Sequence, residues 1–177
     1  MSQTTALAQH GPKHEVEKVT QEEFWSFTDA RYAVIYAGVG ASPKNFHPLL
    51  AMYFATQPHT VRLGVVDLSS IHWSSGLSLY VGAALERLQM KPEPNGRPPA
   101  GYYLFSKGNP LAFQEGGFDP EQDQDLVNAG LIAGIFTGLV TNDANKAIQA
   151  GVGVAKLNAV QRVVTTFDQA MKKHRAG

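Results

Sequence analysis

The residues best placed for chemistry lie in one run, IYAGVGASPKNFHPLL, at positions 35–50. An apolar strand pattern ends in glycines, and Ser42-Pro43 then carries the marks of a helix start, with Ser at the N-cap and Pro at the first helical position. A hydroxyl so placed could act as a nucleophile, because the N–H groups of a helix N-terminus favour an oxyanion. Capping alone accounts for the same two residues, and the sequence supplies no identifiable base beside them. His47, one turn into that helix, could line the same surface. The six histidines, at 10, 14, 47, 59, 72 and 174, show no short ligand spacing besides His10 and His14, so no metal site is expected. Gly38, Gly40 and Gly64, and the pair Gly151 and Gly153, lack the strand–glycine–helix context and following Lys-Ser/Thr of a phosphate loop.

Bulk composition narrows the classes further. The chain has 177 residues with fifteen basic and fifteen acidic side chains, a balance that gives no electrostatic footprint for nucleic acid or an anionic membrane surface. It contains no cysteine, which removes disulfide exchange, thiolate metal sites and cysteine nucleophiles. The start, MSQTTALAQHGPKHE, lacks the charged head and apolar core of a secretion signal, so a cytoplasmic location is the expectation.

Several elements must hold residues 40–44 in place. Residues 1–14 read as a flexible tail. Thr20-Gln-Glu-Glu23 is a capping box ahead of Phe24, Trp25 and Phe27. Tyr32 to Val39 and Val61 to Leu68 read as buried strands, and a helix is expected from Ser74 to Met90 with Leu77, Val81, Ala84, Leu85 and Leu88 on its apolar face. KPEPNGRPP at 91–99 is a breaker-rich loop, and Tyr102 to Phe105 with Leu111 to Gln114 flank a hairpin turn. The order β-α-β-α-β-α-β-β implies an α/β fold, a mixed sheet flanked by helices. Beyond Asp119 the pattern is helical, with Ile148, Val152, Ala155, Val160, Val163, Phe167 and Met171 spaced for one face.

These landmarks resemble the thioredoxin family. Its signature W-C-G-P-C-K and the proline four residues later lie without gaps on Val39, Gly40, Ala41, Ser42, Pro43 and Lys44, and on Pro48. PPAGYYLFSKGNPLAFQEGG looks like the family's cis-proline strand, hairpin and closing glycine pair, and Asp67 matches the acid ending its third strand. The likeness spans residues 15–118 as one thioredoxin-like domain, followed at 119–177 by a C-terminal helical extension. The family's cysteines fall on Gly40 and Pro43, its buried acid near Val34 and its tryptophan on Val39, so the resemblance implies a redox-inactive member. It also implies function through protein binding, as a chaperone, assembly factor or scaffold, with no cofactor. The partner surface would comprise Gly40, Ala41, Ser42, Pro43, Trp73, Arg97, Pro98 and Pro99. In the family a substrate chain pairs with the backbone before the cis-proline; with Pro99 as the equivalent that residue is Pro98, which has no N–H, whereas with Pro98 it is Arg97. A glutathione-dependent or other transferase using Ser42 is the alternative reading.

Small residues recur every fourth position in the extension, at Gly130, Gly134 and Gly138 and again at Ala147, Gly151, Ala155 and Ala159. Such a ridge lets another helix approach closely. The apolar run near it, about 15 residues, is short of the ~20 needed to span a bilayer. The expectation is a helical hairpin or, slightly ahead of it, a homo-oligomerisation element.

Overall fold

The structure, a computed structural model, describes residues 15–72, 75–119, 123, 128, 134, 137, 139–143, 146 and 158–177. Runs rich in β-branched and aromatic residues form its centre: β2 (Tyr32–Gly38) and β3 (Val61–Asp67) pair in parallel along their whole length. β1 (Val16–Lys18) adds to the outer side of β3 in parallel, while β4 (Gly101–Ser106) runs antiparallel to β2 and continues through a tight hairpin into β5 (Asn109–Gln114). The sheet order is β1-β3-β2-β4-β5. Helices α1 (Phe24–Thr28), α2 (Pro48–Ala55), α3 (Ser75–Arg87) and α4 (Asn158–Ala176) flank the sheet. This is the expected order of elements, and the fold is α/β with a thioredoxin-like mixed sheet flanked by helices and a C-terminal helix.

Strand side chains alternate between faces, so each strand feeds two cores. One face buries Tyr32, Val34, Leu63, Val65, Tyr102 and Leu104 against Leu49, Leu50 and Phe54 of α2. The other buries Ala33, Ile35, Ala37, Val66, Tyr103 and Phe105 against Phe27 of α1 and Leu85 of α3. Val160, Val163, Phe167 and Met171, spaced three and four apart on α4, join the first core, with the Phe167 and Phe54 rings 6.2 Å apart. The C-terminal helix thus packs into the core built by residues 15–118. Among the described residues no helix is long and apolar enough to cross a membrane.

At the centre of β3, Gly64 is required by close approach. A Cβ there would stand 2.6 Å from a Val19 methyl and 2.7 Å from the Phe27 ring. Gly82, on the exposed face of α3, has nothing within 4 Å of such a Cβ. We expect Gly64→Ala to lower stability by about 1–3 kcal/mol through overpacking and Gly82→Ala to raise it by about 0.5–1 kcal/mol through helix propensity. Urea unfolding midpoints of the two variants check both signs.

Candidate functional site

Strand pairing brings the candidate loops to one edge of the sheet. Gly38 at the end of β2 is paired with Asp67 at the end of β3, Ala37 with Gly101 at the start of β4, and Tyr102 with Gln114 at the end of β5. Loops outside the carboxyl ends of parallel strands are where open α/β sheets receive ligands. Asp67 fixes the 39–42 loop to this edge: its Oδ1 accepts from the Gly40 N–H at 2.7 Å, the Ser69 N–H at 2.9 Å and the Ser69 hydroxyl at 2.6 Å. The Ser69 hydrogen bonds, then that of Gly40 and the charge of Lys18, hold its carboxyl below the usual range. Gly40 has φ +67° with open space where a Cβ would be, so the left-handed turn, and not crowding, calls for glycine.

Past Ser42 the chain departs from the expected single helix. Pro43–Asn45 is one turn of 3-10 helix, Phe46 and His47 are extended, and α2 begins only at Pro48. The residue before a proline is driven from the helical region by the pyrrolidine ring, and His47 duly sits at φ −64°, ψ 124°. Ser42 therefore caps a single turn. Its N–H and hydroxyl both donate to Asn45 Oδ1, at 2.9 and 3.1 Å, and its carbonyl accepts from the Asn45 N–H at 2.8 Å.

His47 is the N-cap of α2, a correction to its expected place one turn into a helix on the loop surface. It is only 3% exposed. Its Nδ1 accepts from the Leu49 N–H at 3.2 Å, so its proton sits on Nε2, which is buried without a hydrogen-bond partner. Its backbone N–H donates to the Tyr102 hydroxyl at 3.1 Å, and its ring lies 4.8 Å from that of Phe118. Burial pushes the imidazole pKa down to about 4 against a small opposing pull from Asp123. With its lone pair committed to a helix N–H and its basicity this low, His47 is no base for Ser42.

The proline loop also differs from the expectation. The bonds to Pro98 and Pro99 are both trans, so neither is the cis-proline. The loop is held instead by its own contacts: Arg97 N–H donates to Asn95 Oδ1 at 3.0 Å, Arg97 carbonyl accepts from Glu93 N–H at 2.8 Å, and Pro99 carbonyl accepts from the Tyr103 hydroxyl at 2.6 Å. The Arg97 N–H and carbonyl and the Pro99 carbonyl are thereby occupied, and neither proline has an N–H to offer an added strand. Pro98 turns inward to a cavity of about 70 Å³ between α3 and the sheet, walled by Ile35, Val66, Leu85, Tyr103 and Phe105.

What the edge presents to solvent is mostly apolar or basic. Val39 is 67% exposed, Gly40, Pro43 and Lys44 are exposed, Ser42 and Arg97 are half-buried, and Ala41 is buried. Val39 was absent from the expected site because it extends the apolar run of β2; the signal was its position between two glycines, past the last paired residue. Trp73 lies outside the described residues. So do Gly130, Gly138, Ala147, Gly151 and Ala155; Gly134 is helical and buried. Among the described residues no group of three or more His, Asp or Glu is placed to hold a metal.

No protein-family model matches the chain, and no curated protein does. Among solved structures, a mutant thioredoxin from Halobacterium salinarum is similar over 65% of this chain and 89% of that one, at 16% identity and a TM-score of 0.38. At that level the likeness reaches no residue of the site.

Burial of neutral His47 makes stability depend on pH with a definite sign. Its folded pKa, about 4, lies below the ordinary 6.5, so the unfolded chain binds the proton first as pH falls. Stability is fully present above 6.5 and declines toward pH 4, by about 3 kcal/mol in all. Urea midpoints measured across that window should show this slope in the native chain and lose it in His47→Asn.

Proposed function

We propose that this is a non-catalytic thioredoxin-like protein that acts by binding a protein segment at the loop edge, in the manner of a chaperone, assembly factor or scaffold. One observation carries the reading: the Gly40 N–H, the Ser42 hydroxyl and His47 Nδ1 are spent on holding the shape of the segment, while an apolar side chain, Val39, stands exposed beside it. Ser42 gives its proton to Asn45, and the nearest histidine in sequence is neutral and turned to its own helix. A transferase reading would need Ser42 free and a base or anchored thiol cofactor beside it. With the Pro99 carbonyl engaged and no N–H on either proline, recognition falls to side chains, chiefly Val39, Pro43 and Lys44 with Arg97 at the rim. Self-association through the small-residue ridges belongs to the same proposal.

A photoreactive residue introduced at Val39 of the full chain tests the binding surface. Irradiation in an extract of the source cells should give a few discrete adducts that the same residue at Gly82 does not give. Identical adducts from both positions would count against the proposal. Ser42→Ala should cost about 1 kcal/mol as a lost cap and leave the adduct pattern unchanged. For self-association, light scattering of the full chain should return a defined multiple of the monomer mass; a monomer at all concentrations would confine function to the loop edge.

A further inference from the structure

At the opposite end of the sheet, three segments bring basic groups together. Tyr32, which opens β2, has the His59 ring 6.1 Å away and the His174 ring edge-on at 5.8 Å, and its hydroxyl meets His174 Nδ1 at 3.2 Å. Arg175 Nη1 lies 3.3 Å from His59 Nε2, while its Nε donates to the Met171 carbonyl at 3.2 Å. Partial desolvation and then the charges of Arg31 and Arg175 hold the His59 imidazole below its usual range. Among the described residues neither arginine has a carboxylate partner: Asp168, two turns back on α4, is held by Lys172 Nζ at 2.7 Å and faces Tyr53. Basic residues at the end of α4 complement its dipole. That does not account for Arg31 and His59, which come from two other segments, nor for an arginine spending an N–H on an imidazole.

We propose that Arg31, His59 and Arg175 form a binding site for a phosphoryl-class dianion, with His174 at its rim. Guanidinium groups offer planar sets of N–H donors suited to a tetrahedral oxyanion. In the empty site His59 Nε2 accepts from Arg175. With the dianion bound, Arg175 turns its donors to the ligand and His59 takes a proton to become a further donor. Binding therefore takes up a proton and tightens as pH falls through the imidazole range. The charged or titratable groups facing His59 are Arg31 before β2, Tyr32 on β2, and His174 and Arg175 on α4, with Tyr53, Asp168 and Lys172 beyond them.

Histidine NMR signals of the full chain, titrated with inorganic phosphate, phenyl phosphate and sulfate against chloride at matched ionic strength, test the site. Sulfate keeps its charge across the range and isolates the titration of His59. Saturable shifts at His59 and His174 are expected, and with sulfate, which stays a dianion, they are tighter at acidic than at neutral pH. R31Q and R175Q should each weaken binding about fivefold, the size of one exposed charge at close range. Arg31 makes no hydrogen bond among the described residues, so R31Q tests the charge without loosening α4. Saturation by phosphate alone would identify a free anion, and saturation by phenyl phosphate as well a phosphomonoester; either supports the site. Shifts no larger than those with chloride, or unchanged affinity in R31Q, would overturn it.

Discussion

A residue followed by proline is kept out of the helical conformation, and at His47-Pro48 that constraint sets the shape of the loop edge. With the Pro48 ring disfavouring helical backbone at His47, the helix does not run unbroken from Ser42 to Ala55. The chain makes one 3-10 turn, straightens, and restarts at Pro48 with the imidazole folded over the new helix end. Three consequences follow from this one steric fact. Ser42 caps a turn instead of sitting at the head of a long helix, its hydroxyl goes to Asn45, and His47 is drawn inward beside Phe118 and Tyr102. A segment with the outline of a reactive site is thereby fixed as scaffold.

The rest of the edge is held by equally local means. Asp67 joins the end of β3 to the 39–42 loop through the Gly40 N–H and is itself held by two hydrogen bonds from Ser69, and the Tyr103 hydroxyl ties down Pro99. Both anchors sit on strands that are buried along most of their length, so the loops inherit the rigidity of the sheet. Preorganisation of this kind serves binding, because the surface is already ordered before a partner arrives. Val39, carried past the last paired residue of β2, is then displayed at no cost to the core.

Much of this architecture was legible in the sequence wherever side-chain period decides structure. Alternation and apolar runs gave β2, β3 and the β4–β5 hairpin to within a residue or two, and the Val160–Met171 stripe gave α4. Legibility failed where a local signal has two structural meanings. Ser followed by Pro opens a 3-10 turn as readily as an α-helix, and only the second proline, five residues on, distinguishes them. His47 read as a surface residue because its burial depends on Tyr102 and Phe118, more than fifty residues away in sequence. Trans is the ordinary state of an X–Pro bond, and the expectation of a cis-proline at Pro98 or Pro99 rested on the resemblance alone. The basic cluster at Tyr32 was equally hidden, since Arg31, His59 and Arg175 meet only through the fold.

The proposed binding role treats Ser42 as the cap of the 43–45 turn and not as a nucleophile. It is tested most directly by the intact mass of the full chain after prolonged exposure to a serine-directed fluorophosphonate, with peptide mapping of residues 35–50. An unchanged mass and an unlabelled Ser42 are expected, because that hydroxyl donates to Asn45 and His47 is turned to its own helix. A stoichiometric adduct on Ser42, lost in Ser42→Ala, would contradict it and return the protein to the enzymes.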